Sequence, residues 1–190
     1  MTSSTDPFSV ESEEFFVPSG IGLGAVGELL GHAALPGLLF LLTGPMGSGK
    51  TSLAAGVARG MGITSRIASP TFLYLQSYAS SGGPSSLALL HADWDRVAPG
   101  SEDLEETLVA GAEDRVTLVE WGEKLPDSLV ASFSLRVRLL LSIPEDREGR
   151  LLKMFWDPAT DRPEDLRLMR RTVRTLLDDR LPSLRRKNKN

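Results

Sequence analysis

Between Leu38 and Met61 the chain passes from a wholly apolar run, Leu38-Leu39-Phe40-Leu41-Leu42, through Gly44-Pro45-Met46-Gly47-Ser48-Gly49-Lys50-Thr51. It then enters a segment in which Leu53, Val57 and Met61 recur every fourth position. This order constrains the fold more than any other feature. An unbroken apolar run suits a strand buried on both faces, as in a parallel sheet covered by helices. Spacing by four suits a helix, and Gly60 and Gly62 stop it. The residues between match G-x-x-x-x-G-K-[ST] in full. Glycines let the backbone fold back with its N–H groups turned toward phosphate oxygens, and the helix behind aims its positive end at the same anion. Lys50 can reach the β- and γ-phosphates, and the Thr51 hydroxyl can ligate Mg2+. Gly44, Pro45, Met46, Gly47, Ser48, Gly49, Lys50, Thr51 and Ser52 are therefore expected to bind a nucleotide.

Around this unit, strands alternate with helices, which gives an α/β class. Phe15 to Val17 begins a first strand, and Leu23 to His32 reads as a short helix despite its glycines. Phe72 to Tyr78 and Leu87 to Leu90 read as a hairpin joined by the Ser80–Ser85 connector. Ser101 is expected to cap a helix over Glu102 to Ala110, with its acids in the first turn. Val116 to Val119 is another apolar strand. Phe133 to Leu139 alternates, placing Ser134, Arg136 and Arg138 on one face, and reads as a half-exposed strand paired with Leu151 to Trp156. The expected fold is a P-loop NTPase-like mixed, largely parallel sheet flanked by helices, with a C-terminal helical extension. The expected organisation is a poorly ordered segment over 1–14, a P-loop ATPase domain over 15–156, and an amphipathic helix with a basic tail over 157–190.

A P-loop ATPase also needs a carboxylate to hold or orient Mg2+, usually at the end of a neighbouring strand. Glu120 ends Leu118-Val119-Glu120-Trp121, and Asp93 follows Leu89-Leu90-His91-Ala92. Trp121, beside Glu120, suits either core packing or a wall of the nucleotide site.

Composition closes several other routes. The 190 residues include no cysteine and only His32 and His91. Disulfides, thiol nucleophiles, iron–sulfur clusters and multi-histidine metal sites are thereby excluded. The longest apolar run falls far short of the roughly 20 residues that span a bilayer. MTSSTDPFSV carries no secretory pattern, so no membrane association and a cytoplasmic location are expected.

Charge is unevenly placed. Net charge is −4, but residues 166–190 hold nine Lys/Arg against Asp178 and Asp179, leaving −11 for residues 1–165. Asp161 with Glu164 has the spacing of a capping box, and Leu166, Met169, Val173, Leu176 and Leu177 form one stripe of a helix to about Leu181. Its arginines can face solvent or the acidic body, or they can touch an anionic partner such as tRNA.

LTGPMGSGKTS, followed by SPTF at Ser69 to Phe72, HADWDR at His91 to Arg96 and LVEW at Leu118 to Trp121, resembles the TsaE (YjeE) family. The similarity covers roughly residues 12–145, in the family's order. These are small ATPases of bacterial tRNA threonylcarbamoyladenosine synthesis. The resemblance implies that Lys50 binds the phosphates of ATP and that Thr51 and Glu120 hold Mg2+. It also implies that Thr71 sits in a switch-like loop near the γ-phosphate and that Asp93 serves hydrolysis. Implied partners are the TsaD and TsaB proteins, whose transferase complex ATP hydrolysis would cycle. Two positions depart from the family pattern: Pro45 stands where Asp is usual, and Asp95 where Tyr is usual in H-x-D-x-Y-R. Pro45 contributes backbone only, and Asp95 receives no role.

Two other classes share the P-loop. A small-molecule or nucleoside kinase generally needs several arginines around the transferred phosphoryl group, and between Gly60 and Glu120 the chain has only Arg66, Arg96 and Arg115. A non-hydrolysing nucleotide-dependent scaffold would bind ATP and release no phosphate.

Overall fold

A computed structural model describes residues 12–70, 73–80, 87–146 and 148–186. Thr71, expected beside the γ-phosphate, lies outside the described residues, as does the 1–11 part of the N-terminal segment. The elements in order are β1 (Ser12–Val17), α1 (Leu23–His32), β2 (Leu38–Thr43), α2 (Lys50–Gly60), β3 (Leu75–Tyr78) and β4 (Ala88–Asp93). There follow α3 (Glu102–Val109), β5 (Arg115–Glu120), α4 (Asp127–Ala131), β6 (Leu135–Ser142), β7 (Arg150–Trp156), α5 (Pro163–Arg180) and β8 (Arg185–Arg186).

The strands form one mixed sheet in the order β3-β4-β5-β2-β6-β7-β1-β8. Its centre, β4-β5-β2-β6, is parallel, and the pairings toward both edges are antiparallel. Every residue of β2 is buried, because helices cover both faces of the parallel centre. Leu38, Phe40 and Leu42 pack with α1, α2 and the Leu166-Met169-Val173-Leu177 stripe of α5. Leu39 and Leu41 face the other way, toward Leu90, Trp94, Leu108 and Phe133.

The glycines of α1 have a packing cause. A Cβ on Gly27 would fall 2.2 Å from the Leu53 carbonyl oxygen, and one on Gly60 of α2 would fall 2.0 Å from that of Glu28. The two helix backbones touch along a seam that only glycine fits.

Several local expectations are corrected. The first strand begins at Ser12, three residues early, and Glu13 there accepts Arg170 at 2.9 Å. Strand β3 begins at Leu75 instead of Phe72, because Tyr74 sits at φ 60 and donates its N–H to the Pro70 carbonyl. Strand β4 runs on to Asp93, so the aspartate is in the sheet and not beyond it. Ser101 precedes α3 but does not cap it; its hydroxyl donates to the Ala98 carbonyl at 2.8 Å. No capping box forms at Asp161. Pro163 takes the first turn of α5, where its fixed φ and missing N–H suit it, and Glu164 pairs with Arg167 instead. Strand β6 is not half-exposed: Arg136 is buried and ion-paired to Asp157 at 2.6 Å, and Arg138 lies over the Phe155 ring.

Candidate nucleotide site

Strand β2 ends at Thr43 and α2 begins at Lys50, so the glycine-rich loop spans the step from sheet to helix. Gly44 has φ 134, and a Cβ there would lie 2.2 Å from the Leu141 carbonyl oxygen; Gly49, at φ 101, is pressed against Leu23. No acidic residue stands in the first turn of α2, so its positive end is uncompensated by the helix itself. Arg150, at the start of β7, braces the loop from outside: its Nε donates to the Ser48 carbonyl at 3.1 Å and its Nη2 to that of Gly47 at 3.2 Å.

Lys50 is buried, and its Nζ donates to the carbonyls of Gly44 at 2.7 Å and Pro45 at 3.0 Å. The ammonium also lies 3.8 Å from the centroid of the Trp121 ring. Burial pulls the Lys50 ammonium below its ordinary 10.5, and the carboxylates of Glu120, Glu123, Asp93 and Asp95 push back. Trp121 reaches this position from a left-handed backbone at φ 59, a conformation that costs on the order of 1–3 kcal/mol for a residue other than glycine. Lys124 flanks the same ring at 5.0 Å and binds Asp95 Oδ1 at 2.5 Å.

The carboxylates come from adjacent strands. In the parallel register of β4 and β5, Asp93 stands opposite Glu120, and both are buried. Glu120 Oε2 accepts from Thr51 Oγ1 at 3.0 Å, and Oε1 lies 3.0 Å from His91 Nε2. Asp93 accepts from Ser69 Oγ at 2.8 Å on Oδ2 and from the Asp95 N–H at 3.0 Å on Oδ1. A hydroxyl and a carboxylate this close form a hard-oxygen donor pair of the kind Mg2+ takes, since that ion keeps few protein ligands and fills its shell with water and phosphate. The residues present fit it.

A cleft of about 410 Å³ brings Met46, Gly47, Gly49, Lys50, Thr51, Ser52, Asp93, Glu120 and Trp121 together. Gly44 and Pro45 serve it through the carbonyls that hold Lys50, while Ser48 is fully buried behind the loop. Ser69, Asp95 and Arg96 also line the cleft. They stand in the S-P-T-F and H-A-D-W-D-R segments but carried no role from the sequence. Across the loop, a second hollow of about 210 Å³ is lined by Val17, Pro18, Leu23, Gly49, Ser52 and Arg150. Among the described residues, no helix is long and apolar enough to cross a membrane.

The model of a family described as threonylcarbamoyl adenosine biosynthesis protein TsaE matches residues 20–150. A Streptomyces coelicolor relative, named tRNA threonylcarbamoyladenosine biosynthesis protein TsaE, is 34% identical over 116 residues, covering 60% of this chain and 76% of its own. A Synechocystis relative of the same name is 38% identical over 119 residues, covering 60% and 73%. Among solved structures, Bacillus subtilis YdiB superposes with a TM-score of 0.63 at 24% identity, over 87% of this chain and 97% of that one. That likeness concerns the fold.

Proposed function

The chain belongs to the TsaE family, and from that premise we propose that it binds and hydrolyses ATP with Mg2+ to cycle a TsaD–TsaB transferase complex in tRNA threonylcarbamoyladenosine synthesis. The observation that carries this reading is the convergence of Lys50, Thr51, Glu120 and Asp93 on one cleft at the start of α2. In this reading residues 15–156 are the ATPase domain, 157–190 are its extension, and the protein works in the cytoplasm with its tRNA-modifying partners.

The loop N–H groups and the positive end of α2 receive the phosphates. Lys50 exchanges the Gly44 and Pro45 carbonyls for phosphate oxygens. Thr51 and Glu120 would hold the metal, which would supply positive charge to offset the negative charge of the phosphates. Asp93, fixed by Ser69 and by the Asp95 N–H, orients the attacking water, and Thr71 is proposed to act at the γ-phosphate. Trp121 walls the cleft. The hollow on the far side of the loop, with Val17, Pro18 and Leu23, offers the apolar surface a nucleoside needs.

The test is phosphate release with Mg2+, measured with and without TsaD and TsaB. Release that rises on adding both proteins supports the proposal. Tight ATP binding with no release in their presence favours the scaffold. Transfer of phosphate to a small molecule favours the kinase, which the cleft does not encourage: Arg96 is the single arginine among its described lining residues.

A further inference from the structure

His91 carries none of the roles above, yet it holds Glu120 on the oxygen that Thr51 does not touch. It stands on β4 two positions before Asp93, and alternation along the strand puts both on the face of Leu89. That face packs with Leu53 and Val57 of α2. The imidazole is fully buried, with Nε2 3.0 Å from Glu120 Oε1. Its other nitrogen, Nδ1, is buried with no hydrogen-bond partner.

This asymmetry selects a tautomer. A proton on Nδ1 would leave a buried N–H unpaired and turn the Nε2 lone pair toward a carboxylate oxygen. A proton on Nε2 alone gives Glu120 a donor and leaves only a lone pair unused on Nδ1. With Thr51 Oγ1 donating to Oε2 at 3.0 Å, both carboxylate oxygens are then fixed from opposite sides.

We infer that His91 is a positioning residue whose Nε2–H sets the Glu120 carboxylate for Mg2+. The inference rests on the metal role proposed for Glu120. Groups that orient a metal ligand typically change metal affinity or activity by about 10–100-fold when removed.

The test compares two polar replacements of different reach. Gln can place its amide nitrogen near the position of Nε2, whereas Asn can place it only near that of Nδ1. Binding of a fluorescent N-methylanthraniloyl adenosine nucleotide is titrated with Mg2+ and repeated in EDTA. His91→Asn is expected to raise the Mg2+ requirement by about 10–100-fold and to leave binding in EDTA unchanged, while His91→Gln restores the wild-type requirement. In turnover, His91→Asn is expected to raise the apparent KM for Mg2+ more than it lowers kcat at saturating metal. A wild-type Mg2+ requirement in His91→Asn, or no rescue by Gln, overturns the inference. A wild-type protein whose nucleotide binding ignores Mg2+ removes the metal role of Glu120, and is recognised before any variant is made. A readout independent of variant folding is the 15N spectrum of the two histidines. The Nε2–H tautomer is expected at His91, and the Nδ1–H tautomer overturns the inference.

Discussion

Thr51 Oγ1 lies 3.0 Å from Glu120 Oε2, although the residues are 69 positions apart in the chain. The contact joins the first turn of α2 to the end of β5 at the point where phosphate and metal would meet. Glu120→Gln keeps the shape and removes the charge. It should lower Mg2+-dependent hydrolysis at least about 100-fold, the upper end of what even indirect ligand support contributes, with a smaller effect on nucleotide affinity. Asp93→Asn should also lower turnover, if its carboxylate orients the attacking water as proposed. Steady-state phosphate release checks both; if neither variant loses activity, the acidic groups have been given the wrong roles.

Lys50 gives a pH prediction with a definite sign. Burial lowers its folded value below 10.5, so between the two values the unfolded chain binds more protons than the folded one. The nucleotide-free protein therefore gains stability as pH rises through that window, and carries the full burial penalty below it. Nucleotide affinity should fall over the same window, as the ammonium is lost. Lys50→Met should bind no ATP, melt higher than the wild type at neutral pH and lose this alkaline gain. Thermal melts across pH decide; a lower Tm at neutral pH would mean that the carbonyls and the Trp121 ring outweigh desolvation.

The glycine seam between α1 and α2 sets two effects against each other in Gly60→Ala. Gly60 is the last residue of α2, so alanine there gains at most the ~1 kcal/mol that it gains over glycine in a helix interior. Its Cβ would lie 2.0 Å from the Glu28 carbonyl oxygen, and overpacking costs about 1–3 kcal/mol or more when backbone must move. The clash is with backbone, so destabilisation should win. Urea unfolding measures the balance, and a more stable variant would mean the helices can separate cheaply.

Arg170 and Arg174 face Glu13 at 2.9 and 3.5 Å, and Arg167 pairs with Glu164. Much of the basic charge of α5 thus serves the fold, while the backbone of Arg185–Arg186 extends the sheet beside β1. Deleting residues 182–190 should leave intrinsic ATP hydrolysis unchanged and weaken binding to a tRNA-loaded complex at low salt. Every phosphate that the tail no longer neutralises reduces the log–log salt slope by roughly 0.9 on duplex. Equal affinity and equal slope for truncated and full-length protein would leave the tail as structure alone.

Strand β2, the phosphate loop and α2 were legible because their signals are local: an apolar run, a glycine spacing and a helical period, all within 24 residues from Leu38 to Met61. Boundaries that depend on one backbone torsion were not, as at Tyr74, where φ 60 ends an alternation that reads as continuous strand. Arg136 looked solvent-facing from its alternation because its partner, Asp157, arrives from beyond the next strand. His91 was visible as one of two histidines and as the first residue of HADWDR, with no role attached. The faint signal was its place two residues before Asp93, which puts both on one face of a strand; the carboxylate it holds lies on another strand, 29 positions away.

Arg150 reaches the carbonyl of Ser48 across 102 positions of chain. Bringing such distant residues together carries a loop-closure cost that grows only slowly with length, and the pairing of β7 with β6 and β1 offsets it. The phosphate loop is consequently held from behind before any ligand arrives. A nucleotide entering it finds conformational entropy already surrendered, and retains as affinity what it would otherwise spend in ordering six residues of loop, 44–49.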